Sequence, residues 1–249
     1  MTQLKTVWTD NYKVHWRDVR ITNTAGIDSL CNFLQESAWR HATHLGVGYE
    51  KMNQSNHIWV LVRMLIEMEE YPKWDEEIQI STWPAGLDGL LAFRGFKITG
   101  SDGRPLGEAS QVWMIIDQVT RRPQKFEGIS IPEANNGQSR LKIDHAARII
   151  LPSKLEKRHL QSVQYTDIDS YGHTTNARYA AMIMNTFDTQ WHEAHHLKTF
   201  EINFMHESRF ADELQMKASN PDNGSYFLTA ERQADNKTIV NARLEWEKR

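Results

Sequence analysis

Asp169, Gly172 and His173 stand together in the run Thr166-Asp167-Ile168-Asp169-Ser170-Tyr171-Gly172-His173-Thr174-Thr175-Asn176. A carboxylate and an imidazole this close in sequence can orient and deprotonate a water molecule, or return a proton to a leaving group. Gly172 has no Cβ, so the backbone there can come close to a bound group. Beyond Asn176 the apolar residues Ala180, Ile183, Met184, Phe187 and Trp191 follow helical spacing. The first amides of such a helix lack internal partners and carry a partial positive charge. An oxyanion site beside an acid and an imidazole, facing an apolar helix, suits acyl-group chemistry. An ordinary N-cap accounts for Asp, Ser and Thr before a helix without any chemistry.

A second acid, Glu207, lies in Met205-His206-Glu207-Ser208-Arg209 near the end of a strand. If it approaches Asp169, the two could share the activation of water; a solvated surface acid is the plainer reading. His192-Glu193-Ala194-His195-His196 satisfies the zinc-protease spacing H-E-x-x-H. It falls at the C-terminal end of the helix, where the dipole favours histidine anyway, and no third ligand is in view. No metal site is therefore expected. Cys31, the single cysteine, sits on a buried helical stripe and excludes both an intrachain disulfide and a thiolate metal cage.

These residues need a scaffold. Residues 14–21 alternate like a strand, and Ile27, Leu30, Cys31, Leu34, Ala38 and Leu45 give helical spacing through residues 28–45, with Gly46 as the C-cap. Strands are expected at 59–66, 77–83, 90–99 and 106–116, with Pro72 and Pro84 marking loops. The order then repeats: a strand at 161–165, the helix from Asn176, and strands at 200–205, 213–219, 225–233 and 238–246. Asp102, Ala109 and Trp113 recur as Asp235, Ala242 and Trp246, at a constant offset of 133. The reading is α+β: residues 1–125 form one helix-plus-antiparallel-sheet unit, 126–160 a connection across the surface, and 161–249 a second unit. Only the second unit has an Asp-x-x-Gly-His loop before its helix, so one half is expected to do the chemistry while the other shapes a pocket.

Composition narrows the classes. In 249 residues, 40% are hydrophobic and 24% charged, as in a soluble globular chain. A net charge of -3 gives no general attraction to nucleic acid or to an anionic membrane. No apolar run is long enough for a membrane span, and the first residues show no apolar signal core, so a cytoplasmic protein is expected.

Taken together, the chain resembles the acyl-acyl-carrier-protein thioesterase family. The resemblance rests on Phe33-Leu34-Gln35-Glu36-Ser37-Ala38, Ala109-Ser110-Gln111-Val112-Trp113, Thr120-Arg121-Arg122, the loop from Asp169 to His173 with Asn176 and Tyr179, and Glu207. It implies two tandem hot-dog units, each a long helix wrapped by an antiparallel sheet. It also implies hydrolysis of the thioester between a fatty acyl chain and the phosphopantetheine arm of an acyl carrier protein, with no cofactor. The acyl tail is then expected in the first unit and the reacting carbonyl at the second. Asp169, His173 and Glu207 match the family's active-site positions, with Tyr171, Gly172, Asn176 and Ser208 beside them. Tyr171 stands where Asn is usual and Ser208 where Cys is usual, so a cysteine nucleophile is unavailable. Direct attack by water, or by Asp169, remains; Ser208 would need a base beside it. An acyl-CoA thioesterase and a non-catalytic acyl-binding protein are the alternatives, and a homodimer is left open.

Overall fold

A computed structural model of the protein describes residues 5–127, 131, 140–221 and 224–249. In chain order the first half runs β1 (Trp8–Lys13), α1 (Ile27–His44), α2 (Tyr49–Gln54), β2 (His57–Met68), β3 (Glu77–Asp88), β4 (Leu91–Gly100), β5 (Pro105–Asp117) and a short β6 (Pro123–Gln124). The second half runs β7 (Glu156–Ser162), α3 (Asn176–Met184), α4 (Thr189–Ala194), β8 (His195–Phe204), β9 (Glu213–Ala218), β10 (Ser225–Arg232) and β11 (Thr238–Lys248).

All the long strands join one antiparallel sheet in the order β1-β3-β4-β5-β2-β8-β11-β10-β9-β7, with β6 hydrogen-bonded to β5. Each half contributes its strands in the same relative order, so the sheet reads the same from both edges. The halves meet where β2 pairs with β8, from Arg63↔Asn203 to Glu67↔Thr199. The repeat extends to irregularities. β2 bulges opposite Trp113, and β8 bulges opposite Trp246. These are the two tryptophans that mark the repeat in the sequence.

Helix α1 follows the apolar spacing read from its residues. Leu30, Cys31, Leu34, Ala38 and the polar Ser37 and His41 are buried along one stripe. Gly46, at φ 74°, turns the chain out of the helix. The stripe packs on β3 and on α3, so both helices lie on one side of the sheet and share one core. Leu34 is fully buried there, and truncating such a side chain to Ala costs about 2–5 kcal/mol. Two helices wrapped by one antiparallel sheet are the tandem hot-dog architecture.

Several local expectations are corrected. The alternation at 14–21 is not a strand: β1 precedes it, and the chain turns through a 3-10 segment, Trp16–Asp18. The Asp18 carboxylate accepts the His15 amide at 2.8 Å and so closes the turn. Pro84 lies inside β3 rather than in a loop. It falls at a bulge with Gly86, beyond the last β1 pairing at Thr82, so its missing N–H faces no strand. The helix from Asn176 ends at Met184; Asp188 then caps α4 by accepting the Trp191 amide at 2.7 Å. The apolar spacing runs through that break because Phe187 and Trp191 still pack against Tyr226 and Trp246. Strand β7 begins at Glu156, ahead of the 161–165 reading, and a short helix, α2, follows Gly48. Of the 126–160 connection, residues 128–130 and 132–139 lie outside the described residues. Residues 140–155 carry no helix or strand and lie across the outer face of the central strands. Ala147 N–H donates to Glu201 at 2.7 Å, Ile149 N–H donates to Asn203 at 2.8 Å, and Asn203 Nδ2 returns a bond to Ala147 O.

Candidate active site

The loop before α3 is built by its own acid. Tyr171 N–H and His173 N–H donate to Asp169 Oδ1 at 2.8 and 3.2 Å, and Gly172 N–H donates to the Asp169 carbonyl at 3.0 Å. Asp169 Oδ2 has no hydrogen-bond partner among the described residues, and the side chain lines a cleft described below. Gly172 adopts φ 77°, and a Cβ there would meet open space. Its glycine therefore serves the left-handed backbone rather than a close approach. The first half has the same loop, with Asn23 at φ 57° in the corresponding place. Ala25 N–H donates to Pro72 O just as Thr174 N–H donates to Ser208 O. By that correspondence Arg20, Thr24 and Tyr71 stand where the second half has Asp169, His173 and Glu207. One backbone device thus occurs twice, and the acid-imidazole-acid set occurs once.

Glu207 follows the end of β8. His173 Nε2 lies 3.0 Å from Glu207 Oε2, and the Arg121 guanidinium binds Glu207 Oε1. Arg209 donates to the same His173 nitrogen at 3.5 Å. An imidazole protonated at Nε2 donates to Glu207; deprotonated there, it accepts from Arg209. Burial, with Arg209 and Arg121 nearby, lowers the His173 pKa from its ordinary value against the pull of Asp169. Asp169 and Glu207 line one cleft of about 480 Å³, with His173 bonded to both, through its amide to one and its ring to the other.

That cleft lies between the halves. Trp39, Trp59, Leu61 and Trp113 from the first half face Tyr179 and Phe204 from the second. Asn176, the first residue of α3, donates from Nδ2 to Gln35 of α1 at 3.1 Å, tying the helices together at the cleft. Tyr171 packs edge-on against Tyr49 of α2, with ring centroids 6.0 Å apart, and partial burial beside Tyr49 pushes its phenol up to about 12. Bulk where Asn is usual thus makes an aromatic pair at the cleft rim. Ser208 is fully buried. Its hydroxyl meets those of Thr174 and Tyr179, each at 2.8 Å, with no base in contact among the described residues.

Not every amide near the helix entrance is free to hold an oxyanion. Those of Gly172 and His173 are consumed within the loop. The amides of Asn176 and Ala177, at the start of α3, have no partner among the described residues, and Thr175 makes no side-chain cap there. The H-E-x-x-H run splits between α4 and β8; His192 Nε2 and His196 Nε2 each meet a backbone carbonyl, of Met184 and Met68.

Arg121 and Arg209 are the site residues that sequence reasoning missed. Arg121 registers only within the Thr120-Arg121-Arg122 motif after β5, with no site role, and β2–β8 pairing brings it to an acid 86 positions away. A signal existed for Arg209, two residues from Glu207.

Family models match both halves in order. The acyl-ACP thioesterase N-terminal domain covers residues 5–128, and the acyl-ACP thioesterase C-terminal domain covers residues 152–248. A palmitoyl-acyl carrier protein thioesterase of Gossypium hirsutum, chloroplastic, is 27% identical over 216 residues, which is 81% of this chain and 52% of that protein. An acyl-[acyl-carrier-protein] hydrolase of Cuphea viscosissima is 26% identical over 265 residues, 96% of this chain and 62% of its own length. The chain thus spans about half to three-fifths of the length of the curated relatives it matches. Among solved structures, an acyl-ACP thioesterase from Bacteroides thetaiotaomicron superposes with a TM-score of 0.86 at 24% identity, covering 97% of this chain and 98% of that one. The 12:0-ACP thioesterase of Umbellularia californica gives 0.81 at 18% identity, with full coverage of both chains. Matched along both halves to the two domains of one family, the chain belongs to the acyl-ACP thioesterase family.

Proposed function

We propose that the protein hydrolyses thioesters of fatty acyl chains on an acyl carrier protein, releasing free fatty acid and the carrier's thiol, and that it does so in the cytoplasm. The observation that carries this reading is the contact of Glu207 with His173, with Arg121 on the other carboxylate oxygen, in an apolar cleft between the halves.

The acyl tail lies against the aromatic wall of the cleft, where each buried CH2 contributes roughly 0.8 kcal/mol. The thioester oxygen points at the amides of Asn176 and Ala177; one such donor is typically worth about 3 kcal/mol in the transition state. Water attacks the carbonyl carbon while Glu207 takes its proton. The C–S bond then breaks, and the sulfur receives a proton from His173 Nε2, which Glu207 replaces. Arg121 keeps Glu207 aimed at the cleft. Asp169 holds the His173 loop through Oδ1 and orients the water through Oδ2. Ser208 takes no part.

Thiol release tests the reading, measured on carrier-protein and CoA esters of the same acyl chain. Faster turnover of the carrier ester supports it. Equal or faster turnover of the CoA ester makes the protein an acyl-CoA thioesterase. Tight fatty-acid binding with no thiol released from either ester makes it a binding protein.

A further inference from the structure

A second hollow of about 50 Å³ adjoins the cleft; Trp39, Tyr49, Trp59 and Trp113 line both. Its remaining wall is mostly aliphatic and aromatic, with Ala38, Ala42, Leu45, Val47 and Phe93, and one cation, Arg94 of β4, faces into it. Arg94 is enclosed. One guanidinium nitrogen, Nη1, donates to His41 Nδ1 at 3.0 Å and to Thr82 Oγ1 at 3.2 Å. Among the described residues no carboxylate pairs with Arg94 and no aromatic ring lies beneath it as a cation-π partner. His41 cannot serve as counter-ion. Its Nδ1 accepts from Arg94, so its Nε2 carries the proton and donates to the Lys5 carbonyl at 2.9 Å. Burial pulls the Arg94 pKa down to about 10, still charged at neutral pH.

A half-buried cation with no carboxylate beside it among the described residues is costly unless water or a ligand fills its remaining hydrogen bonds. The hollow has room for about three or four waters or a carboxylate with its first CH2. An alkyl end entering it displaces water from Arg94 without replacing the hydrogen bonds, which loses affinity. An oxygen-bearing end replaces them.

We propose that Arg94 is a specificity-determining residue that receives an oxygen at the far end of the acyl chain. The favoured substrates are then acyl thioesters with a terminal carboxylate or hydroxyl, and methyl-ended chains are those short enough to stop before the hollow. This inference rests on the thioesterase reading for its substrates, though the recognition itself concerns only the tail.

The test compares three carrier-protein thioesters of one chain length, ending in methyl, hydroxyl or carboxylate, on the wild type and on Arg94→Met. The length is the one whose tail reaches the hollow, found first with the methyl series as the point where kcat/KM drops. Wild-type kcat/KM should favour the oxygen-bearing ends by about tenfold or more at that length, as for hydrogen bonds to a charged group. Arg94→Met should reverse the order and extend the methyl series. A purely structural arginine would instead leave the preference unchanged. Losing Nη1 leaves the buried His41 Nδ1 without its donor, so Tm is expected to fall under either reading and the end-group preference alone decides. Carboxylate favoured over hydroxyl assigns the ligand as anionic, and equal preference assigns a neutral oxygen. No preference in the wild type, or an unchanged ratio in Arg94→Met, overturns the proposal. Should no ester release thiol, the hydrolysis reading fails, and calorimetric binding of free dicarboxylic against monocarboxylic acid still decides the Arg94 assignment. Wild-type measurements decide it likewise if Arg94→Met does not fold.

Discussion

Replacing Asp169 by Asn and by Ala separates what its two oxygens do. Oδ1 accepts two amides of the loop, Tyr171 N–H at 2.8 Å and His173 N–H at 3.2 Å. Hydrogen bonds to a charged acceptor are worth roughly 1.5–3 kcal/mol each. The longer bond and the half-exposed setting bring the pair to about 2 kcal/mol. Asn keeps an oxygen in the Oδ1 position, so Asp169→Asn should cost under about 1 kcal/mol. Asp169→Ala leaves both amides unpartnered and should cost about 2 kcal/mol, or a fall of roughly 4–8 °C in Tm for a chain of this size. Turnover should behave differently. Both variants lose the charge at Oδ2, so both should lose about a hundredfold in kcat, the lower range for a group that assists proton transfer. Differential scanning calorimetry and single-turnover thiol release give the two readouts. Equal losses of Tm would show that Oδ1 does not hold the loop. Near-wild-type turnover in Asp169→Asn would show that its charge has no part in the reaction.

The clustered hydroxyls of Ser208, Thr174 and Tyr179 should matter for stability and not for rate. Ser208→Ala is expected to keep kcat within a few fold. Tyr179→Phe leaves the buried Ser208 amide, now bonded to the phenol at 2.9 Å, without its acceptor and should cost about 1–3 kcal/mol by urea unfolding. A dead Ser208→Ala would revive a covalent route. For acid stability, burial first and then Arg94 push His41 from 6.5 to about 4 in the folded protein. The unfolded chain binds that proton near its ordinary pKa and the folded one does not, so the contribution is full above about 6.5 and is lost as pH falls toward about 4. Urea melts should lose about 2 kcal/mol from this residue between about pH 7 and pH 5, and His41→Gln should remove that slope. A slope unchanged in His41→Gln would assign the acid sensitivity elsewhere.

Helix α1 and most of the sheet were legible because the signals were local: apolar spacing, turn residues, and the Trp113 and Trp246 hairpins. Asp169, His173 and Glu207 were legible as residue types, and the asymmetry between the halves was legible as well. Contacts set by distant pairing were not. The β2–β8 seam brings Arg121 to Glu207, and no property of Arg121 in its own stretch distinguishes it from Arg122. The same limit hid the fate of the loop amides, since only the three-dimensional path shows Asp169 consuming the one at His173. Pro84 misled for a related reason: a proline bars a strand only where a neighbour needs its N–H, and β1 has ended by then. Residues 14–21 misled because two apolar neighbours on a tight turn mimic alternation.

Glu207→Gln puts the account at its greatest risk. The amide keeps much of the shape and can still meet His173 and Arg121, but it cannot take a proton from water. With a carrier-protein ester of a saturated chain, kcat for thiol release should fall by about two to four orders of magnitude, with KM and Tm close to those of the wild type. A kcat within a few fold of wild type would contradict the assignment of Glu207 as the base and the mechanism built on it.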